Sequence, residues 1–494
     1  MSGEFLHTVL VALAAGLAGA VIFAFLGLIS GTDETATIAP LTLAVVLLGV
    51  PPAGVLTFFI AAATAKHMTH AVPTTLLGIP GDTMAIALMD EANALRRLGA
   101  PHIALRKAVT AALLSALIAV PVSVLAASAL ASVAEPLQKV VPYLFPVIAV
   151  GVACLSRGRW ASVLALVPLT VMITGVNALV QEQTGKTLSI SFFVGLAIGP
   201  MIVDLVGLLS PVTRRGLLRD RRPTSWIARE PDEQSEPGGQ GAPDQPVASG
   251  ASAGHGASGK PTRRRKRRGG ASMPNPMTVL TRKEAGTTAV AATATSLTFV
   301  VSPLAMAVVV GEIVGARVSQ AYQRLTRVIS VRNGVTDSTY LAETLIPLVA
   351  VGIPLSPIAA GAAAPLFNAP PVYTVGGDGE ATHNLHTLLT APEFFLYGLI
   401  GVVLAALVAY PLTMKYARKA ALLVAGKLSH EAVIGAFTGL VLVVALYEGG
   451  LWGVFVMLTV GLVGGTLSRA VGMHAGVQCM AYYVSVLTVP VMLS

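Results

Sequence analysis

Long apolar segments, separated by short polar loops, recur along most of the 494-residue chain. Several run for about 18 residues or more, which is long enough for a helix to cross ~30 Å of hydrocarbon. They fall into two sets of four, near 108–131, 139–155, 159–182 and 190–212 and again near 392–411, 430–447, 450–468 and 474–492. The pattern predicts an all-α polytopic membrane protein.

The same short motif precedes each set of segments. Residues 73–80 are PTTLLGIP and residues 347–354 are PLVAVGIP, so both follow P-x4-G-I-P at an offset of 274 residues. Internal repeats in a membrane chain are typical of secondary transporters. We therefore expect a first transmembrane repeat at 1–212 and a second at 284–494, each with a broken or re-entrant helix at its Gly-Ile-Pro motif.

The segment 213–283, between the two repeats, differs from both in composition. It holds 15 of the 33 Lys and Arg residues, including RRRKRR at 263–268, and it is rich in Pro, Gly and Ser. Such a segment is predicted to be a disordered cytoplasmic linker that contacts the anionic surface of the lipid bilayer. The basic tract has no interleaved aromatic residues, so the net charge of +9 does not favour a nucleic-acid partner.

The distribution of Lys and Arg predicts opposite orientations for the two repeats. Positive residues favour the cytoplasmic side, which places the linker and the loops with Arg96 and Arg157 inside. The loop 374–387, which has no Lys or Arg, is then outside, and the loop with Lys415 is inside again. The chain is thus predicted to form two inverted-topology repeats in the bacterial cytoplasmic (inner) membrane.

The basic, amphipathic stretch 317–334 complicates this count, because simple alternation of crossings places it outside. One interpretation is that 287–315 is a hairpin broken at Ser302-Pro303. The other is that 317–334 is a helix on the cytoplasmic surface. Both keep an odd number of crossings in each half, so the predicted inversion does not depend on the choice.

Each motif combines helix-breaking residues with a polar side chain. Glycine and proline interrupt the helix, and a new helix would begin at the carboxylate or hydroxyl that follows, with free amides for an anion. A cap and a simple kink are the plainer interpretation. Broken helices at equivalent places in two repeats favour a shared substrate site near the membrane midplane. We predict that substrate contacts Gly78, Pro80, Gly81, Asp82, Thr83, Gly352, Pro354 and Ser356.

Ionisable residues at membrane depth indicate a substrate or ion pathway. Three of them precede the first motif, and we add Lys66, His67 and His70 to the predicted substrate site. The candidates for the coupling ion, Na⁺ or H⁺, are Asp33, Glu343 and Ser356. No third ligand accompanies the two histidines, so no metal site is predicted, and no cofactor other than Na⁺ as a coupling ion.

Other sequence features limit the alternatives. Only 12% of the residues are charged, against about 25% in a typical soluble protein. HExxH is absent, and the match to G-x-S-x-G at 250–254 (GASAG) lies in the Gly- and Ser-rich linker rather than in an apolar segment, which argues against an intramembrane hydrolase. A solvated hairpin face is predicted after the first motif, because two acidic residues, Asp90 and Glu91, are followed there by two basic ones, Arg96 and Arg97.

Several ordered motifs connect the chain to a known family. GLISG at 27–31, PLT at 40–42, GIPG at 78–81, Asp90 and LG at 98–99 together resemble the TctA-type large membrane subunit of tripartite tricarboxylate transporters. The resemblance implies cation-driven uptake of small carboxylates, with substrate between the two Gly-Ile-Pro loops. It also implies two partners, a small membrane subunit and an extracytoplasmic solute-binding protein.

The chain departs from the family pattern near the expected substrate. Lys66 to His70 replace small residues that include a Gly pair, Leu355 replaces a Gly, and the basic linker is atypical. An alternative function keeps the fold but changes the cargo to an anionic lipid, such as a polyprenyl phosphate. The cationic Lys66, His67 and His70 would suit its phosphate headgroup.

Overall fold

The long apolar segments of the sequence are helices in the computed structural model. The structure describes residues 2–30, 32–131, 143, 146–154, 158–185, 188–207, 210–211, 274–299, 301–367, 374–375, 381–382, 384–427 and 430–493. Helices dominate both halves, and the strands among these described residues are one two-residue antiparallel pair, Thr374–Val375 with Ala381–Thr382. The predicted all-α polytopic fold is confirmed.

The first half contains eight helices among its described residues. They are α1 (Ser2–Leu26), α2 (Glu34–Leu47), α3 (Pro52–Thr69), α4 (Met89–Arg97), α5 (Pro101–Leu130), α6 (146–154), α7 (Trp160–Thr184) and α8 (Ser189–Gly207). Between α3 and α4 the first motif forms a π-helical turn, Pro73–Leu77, and a 3₁₀ helix, Met84–Leu88.

The second half contains seven longer helices among its described residues. They are α9 (Arg282–Thr295), α10 (Pro303–Ala316), α11 (Ala321–Ala350), α12 (Ala391–Lys415), α13 (Ala417–Lys427), α14 (His430–Ala470) and α15 (Ala475–Tyr483). The shorter helical segments are Pro276–Val279, Pro357–Ala360, Ala364–Leu366, Leu385–Leu388, Val484–Thr488 and Val489–Leu493. Gly449 and Gly450 interrupt α14 with non-helical backbone, so it consists of two consecutive apolar helices, as the sequence predicts.

Six of the described helices are long and apolar enough to cross a membrane: α1, α5, α7, α8, α12 and α14. The two central helices, α3 and α11, are absent from this set because both carry many polar residues. Nearly every side chain of α3, and every one from Val328 onward in α11, is buried inside the protein. Polar residues within a bilayer are tolerated when they face the interior of a helical bundle, which is the position of these two helices.

Helices of the two halves interlock around α3 and α11. The first-half helix α5 packs along α11 and α9, and the second-half helix α12 packs along α3 and α1. Likewise α1 lies on α3 and α9 lies on α11, while α8 packs along α14. Much of the core is therefore shared between segments that are far apart in the sequence.

The sequence left two interpretations open for residues 287–334, and the structure distinguishes between them. The helices α9 and α10 are separated by residues 296–302, so the chain is broken where the hairpin interpretation places the break, at Ser302-Pro303. Burial of α11 from Val328 onward shows that a surface helix over 317–334 is wrong. The basic residues of this stretch suggested a surface helix, but most of them lie in its exposed first part. Arg332, in contrast, is buried, and its charge is paired with Glu91.

Most of the predicted linker 213–283 lies outside the described residues. Residues 274–283 are described, and they contain a helical turn at Pro276–Val279 and the start of α9. Thr281 and Glu284 form a capping box at that start, which satisfies the free amides of the first turn. The last ten residues assigned to the linker, 274–283, thus contain regular structure. Only 143 and 146–154 are described of the predicted segment 139–155, and they are helical.

Candidate functional site

The two Gly-Ile-Pro motifs form the same local structure. Gly78 and Gly352 have φ of +69° and +72°, the left-handed conformation in which glycine commonly ends a helix. Four residues later, Asp82 Oδ1 accepts a hydrogen bond from the Ala85 amide at 2.8 Å. In the second motif Ser356 Oγ accepts one from the Ala359 amide at 3.0 Å. Each motif therefore ends one helix and caps the next helical turn.

This capping changes the predicted role of the first motif. The amide of Ala85 is already bound by Asp82, and the helix that follows, Met84–Leu88, has only five residues. The Gly81 amide is bound by Thr74 Oγ1 at 3.2 Å. The motif thus places the Asp82 carboxylate in the interior rather than presenting a row of free amides.

A side chain from the following segment covers each glycine. Arg96 Nη1 donates to Leu77 O at 2.9 Å, and His386 Nδ1 lies 3.0 Å from Leu348 O. These donors take carbonyl groups that the broken helices leave without a helical partner. Arg96 and His386 thus support the two motifs, a role that the sequence did not predict.

The ammonium of Lys66 lies among oxygen atoms at the centre of the first half. Lys66 Nζ donates to Thr32 O at 2.8 Å and to Glu34 Oε1 at 3.1 Å, and it lies 3.7 Å from Asp82 Oδ2. The side chains of Lys66 and Asp82 are fully buried. The second oxygen of Glu34 accepts a hydrogen bond from Thr83 Oγ1 at 3.1 Å. Asp82 and Thr83 are thus joined to Lys66, as the predicted site requires, and Glu34 is an additional member.

His70 connects this group to the second half of the chain. Its Nδ1 lies 2.8 Å from Asp82 Oδ2 and its Nε2 lies 2.9 Å from Asn333 Oδ1 on α11. Asn333 donates its amide nitrogen to Ala108 O at 2.9 Å, so its oxygen faces His70. Because both partners accept, both ring nitrogens of His70 must donate, which is the hydrogen-bonding pattern of an imidazolium. The charges of Lys66 and His70 then balance those of Glu34 and Asp82.

Close backbone approach makes this arrangement possible. Gly81 passes His70 so closely that a Cβ at position 81 would lie 2.5 Å from His70 O. Any other residue would push the first motif away from α3 and lengthen the contact between Asp82 and His70. Pro80, by contrast, is exposed, and its carbonyl accepts a hydrogen bond from Ser30 Oγ at 2.6 Å.

A second polar group lies beside the first, between α3 and α11. His67 Nδ1 lies 2.9 Å from Asp337 Oδ1, and the His67 ring packs edge-on against Tyr340 with the centroids 4.6 Å apart. All three side chains are fully buried. Among the described residues, His67 Nε2, Asp337 Oδ2 and the Tyr340 hydroxyl have no hydrogen-bond partner.

Glu343 continues this group toward the second motif. Asp337, Tyr340 and Glu343 are spaced by three residues on α11, so they share one side of the helix. Glu343 is fully buried, the Ser356 side chain and the Ile358 amide lie beside its carboxyl, and neither carboxyl oxygen makes a hydrogen bond of normal geometry in the part of the chain that the structure describes. Ser356 Oγ donates to the Glu343 backbone carbonyl at 3.1 Å, so these two predicted residues are neighbours.

Asp33, the third residue predicted for the coupling ion, has local partners. Its Oδ1 accepts hydrogen bonds from Thr35 N at 2.9 Å and Ala36 N at 3.3 Å and so caps α2. Its Oδ2 lies 3.8 Å from His474 Nε2. Among the described residues no three His, Cys, Asp or Glu side chains are grouped as a metal ion would require.

The predicted solvated hairpin face after the first motif is only partly correct. Glu91 is buried, and its Oε2 accepts a hydrogen bond from Arg332 Nη1 at 2.6 Å. Burial raises the pKa of Glu91 above its ordinary value, and the Arg332 guanidinium offsets part of that rise. Arg332 also donates to Glu312 Oε1 at 2.6 Å and to Ala87 O at 2.9 Å. This guanidinium joins α4, α10 and α11.

Comparison with known proteins identifies the chain at family level. The family described as "Tripartite tricarboxylate transporter TctA family" matches residues 13–475, which include both motifs and the whole buried polar group. No curated protein and no solved structure matches the chain.

Proposed function

The chain belongs to the tripartite tricarboxylate transporter TctA family and is a multi-pass membrane component of such a transporter, and on that premise we propose its mechanism. It moves a small organic anion of the di- or tricarboxylate class across the bacterial cytoplasmic membrane. It is a secondary active carrier, coupled to Na⁺ or H⁺, that works by alternating access of two inverted repeats. The family is one of transporters.

The observation that carries this proposal is the set of unsatisfied polar atoms between α3 and α11. A buried polar group without a hydrogen-bond partner costs about 1–3 kcal/mol, so His67 Nε2, Asp337 Oδ2 and the Tyr340 hydroxyl favour a polar ligand beside them. The hydroxyl and a protonated imidazole are donors suited to a carboxylate, and the Asp337 oxygen accepts from a hydroxyl or protonated carboxyl of the substrate.

The charges around this position support coupling to a cation. Lys66 and His70 are balanced by Glu34 and Asp82, which leaves Asp337 and Glu343 as further buried acids. A carboxylate substrate would be repelled by these groups unless protons or Na⁺ neutralised part of the charge. We therefore propose that Glu343, beside Ser356, takes up the coupling ion. Asp33 is not included, because it caps α2.

The packing of the helices supports alternating access of two repeats. The contacts of α5 with α9 and α11 have a counterpart in those of α12 with α1 and α3. Both motifs end at a left-handed glycine and cap the next turn four residues later. A shared architecture of this kind is what two inverted repeats around one site would produce.

We further propose that the linker is cytoplasmic and that the carrier works with a small membrane subunit and an extracytoplasmic solute-binding protein, as the tripartite family implies. The lipid-translocase alternative relied on free cationic groups at Lys66, His67 and His70. Lys66 and His70 are paired with carboxylates, so no observation favours a lipid phosphate over a carboxylate.

Ligand binding by the purified protein tests the function without any partner subunit. Thermal unfolding is followed with a panel of di- and tricarboxylates, with and without Na⁺ and at two pH values. A ligand that binds the folded state stabilises it by about 2.7 kcal/mol at 100 times its Kd. We expect a carboxylate to raise the unfolding temperature, and His67→Gln to weaken its binding by about tenfold or more, or ~1.4 kcal/mol.

His7→Gln is the matched control, because His7 is exposed on α1 and far along the chain from the site. It should bind the same carboxylate as tightly as the unmodified protein. A folded protein that no carboxylate stabilises under any of these conditions would contradict the proposal.

A further inference from the structure

The ammonium of Lys66 occupies a position that resembles a cation-binding site. Its neighbours are one backbone carbonyl, Thr32 O, and two carboxylates, Glu34 and Asp82, at 2.8, 3.1 and 3.7 Å. Carbonyl and carboxylate oxygens are the ligands that hard metal cations prefer in proteins. The surroundings of Nζ thus suit a small cation better than an anionic substrate.

Other contacts hold these oxygens in place independently of Lys66. Glu34 Oε2 is bound by Thr83 Oγ1, Asp82 Oδ1 by the Ala85 amide, and Asp82 Oδ2 by His70. Three separate segments, the start of α2, the last turn of α3 and the first motif, meet at this point. Loss of the lysine side chain would leave the arrangement of oxygens largely intact.

Charge balance requires a cation or a proton among these oxygens. With His70 charged, the group of Lys66, His70, Glu34 and Asp82 is neutral; without Lys66 it would carry one uncompensated negative charge in the interior. Removal of one partner from a buried ion pair is strongly destabilising for this reason. Lys66 also lies in the last turn of α3, where the helix dipole favours positive charge.

We infer that Lys66 is a built-in cation, whose ammonium takes the place of a sodium ion between Thr32, Glu34 and Asp82. The carrier therefore needs no sodium ion at its first motif. This inference rests on the proposed function and narrows it, because coupling is left to the second motif, where Glu343 has no charged partner.

An ordinary structural ion pair makes a different prediction from a built-in cation. If Lys66 only packs against its carboxylates, its removal destabilises the protein and no salt restores the loss. If its ammonium substitutes for an ion, Na⁺ should enter the vacated position and restore stability. The response to Na⁺ therefore separates the two roles.

The test uses the full-length purified protein and the variants Lys66→Ala and Lys66→Gln. Unfolding temperatures are measured in NaCl and in choline chloride at equal ionic strength, and ²²Na⁺ binding is measured directly. The unmodified protein sets the baseline in both measurements, which includes any Na⁺ taken up at Glu343. Relative to it, the variants should unfold at lower temperature in choline chloride, regain more stability as Na⁺ is raised, and bind additional ²²Na⁺.

The double variant Lys66→Met with Glu34→Gln is the matched control, since it removes one charge of each sign. It should be more stable in choline chloride than Lys66→Ala, and Na⁺ should stabilise it no more than it stabilises the unmodified protein. Folded single variants that bind no more ²²Na⁺ than the unmodified protein, or variants that cannot be obtained folded even in NaCl, would overturn the inference. So would ²²Na⁺ binding by the unmodified protein that Asp82→Asn abolishes.

These measurements use no transport substrate, so they separate the inference from the proposed function. A protein that binds no carboxylate but gains a Na⁺ response on loss of Lys66 refutes the transport proposal and keeps the built-in cation. Carboxylate binding by the protein, without any Na⁺ response of the Lys66 variants, would instead support the transport proposal and refute the built-in cation.

Discussion

Gly78 and Gly99 both have left-handed backbone, with φ of +69° and +74°, but their surroundings differ. A Cβ at Gly78 would overlap the Arg96 guanidinium, whereas a Cβ at Gly99 would meet nothing within 4 Å. The left-handed conformation costs an L-residue roughly 1–2 kcal/mol. We expect Gly99→Ala to lower the free energy of unfolding by about that amount, and Gly78→Ala by about 1 kcal/mol more, because the hydrogen bond from Arg96 to Leu77 O is lost. Equal losses in thermal unfolding would show that Arg96 does not support the motif.

The sequence predicts part of the site at the residue scale and misses the rest for a physical reason. Lys66, His70 and Asp82 meet because they lie within one short stretch that folds back at Gly81. Asn333 and Asp337 are more than 260 residues away, and only the packing of α11 beside α3 brings them to the histidines. Their spacing with Tyr340 and Glu343 gives a polar stripe along α11, a signal that the basic residues at 317–334 obscured.

Helices α4, α10 and α11 are joined by Arg332, which gives a prediction at the scale of elements. Arg332→Met would leave the buried Glu91 without its partner, and loss of one member of a buried pair costs about 3–5 kcal/mol. The exposed Arg317→Met is a suitable control and should change the unfolding temperature little. A loss no larger than that of the control would mean that the ion pairs do not hold these helices together.

The same variant should depend on pH. Burial raises the pKa of Glu91, and without the Arg332 guanidinium the largest offset to that rise is lost. The folded variant then binds the Glu91 proton more tightly than the unfolded chain, so its stability increases as the pH falls and decreases as the pH rises. Unfolding temperatures of Arg332→Met at acidic and neutral pH measure this slope. Glu91→Gln added to Arg332→Met should remove the slope and recover part of the stability.

Apolar length predicts the lipid-facing helices well, because a membrane-spanning segment must bury its own backbone hydrogen bonds in a continuous apolar helix. The predicted boundaries of α5, α7, α8 and α12 agree with the structure within a few residues, apart from the earlier start of α5. The central helices α3 and α11 are not recognisable in this way, since they carry buried polar side chains, some of which pair across the two helices. Their position follows only from how the surrounding helices pack.

At the scale of the whole molecule, the interlocked halves predict that neither half is stable alone. Helix α5 packs on α9 and α11, and α12 packs on α1 and α3, so separation would expose faces that the other half buries. We expect fragments 1–212 and 274–494, expressed together without the linker, to associate and to bind the same carboxylate as the intact chain. Each fragment expressed alone should aggregate in detergent, because buried groups such as His70 and Asn333 would lose their partners. Size-exclusion chromatography of the co-expressed and single fragments measures this association, with the intact chain as control.

Two fragments that elute separately as folded species would show that each half is an independent domain. The site between α3 and α11 would then have to form at a dissociable interface.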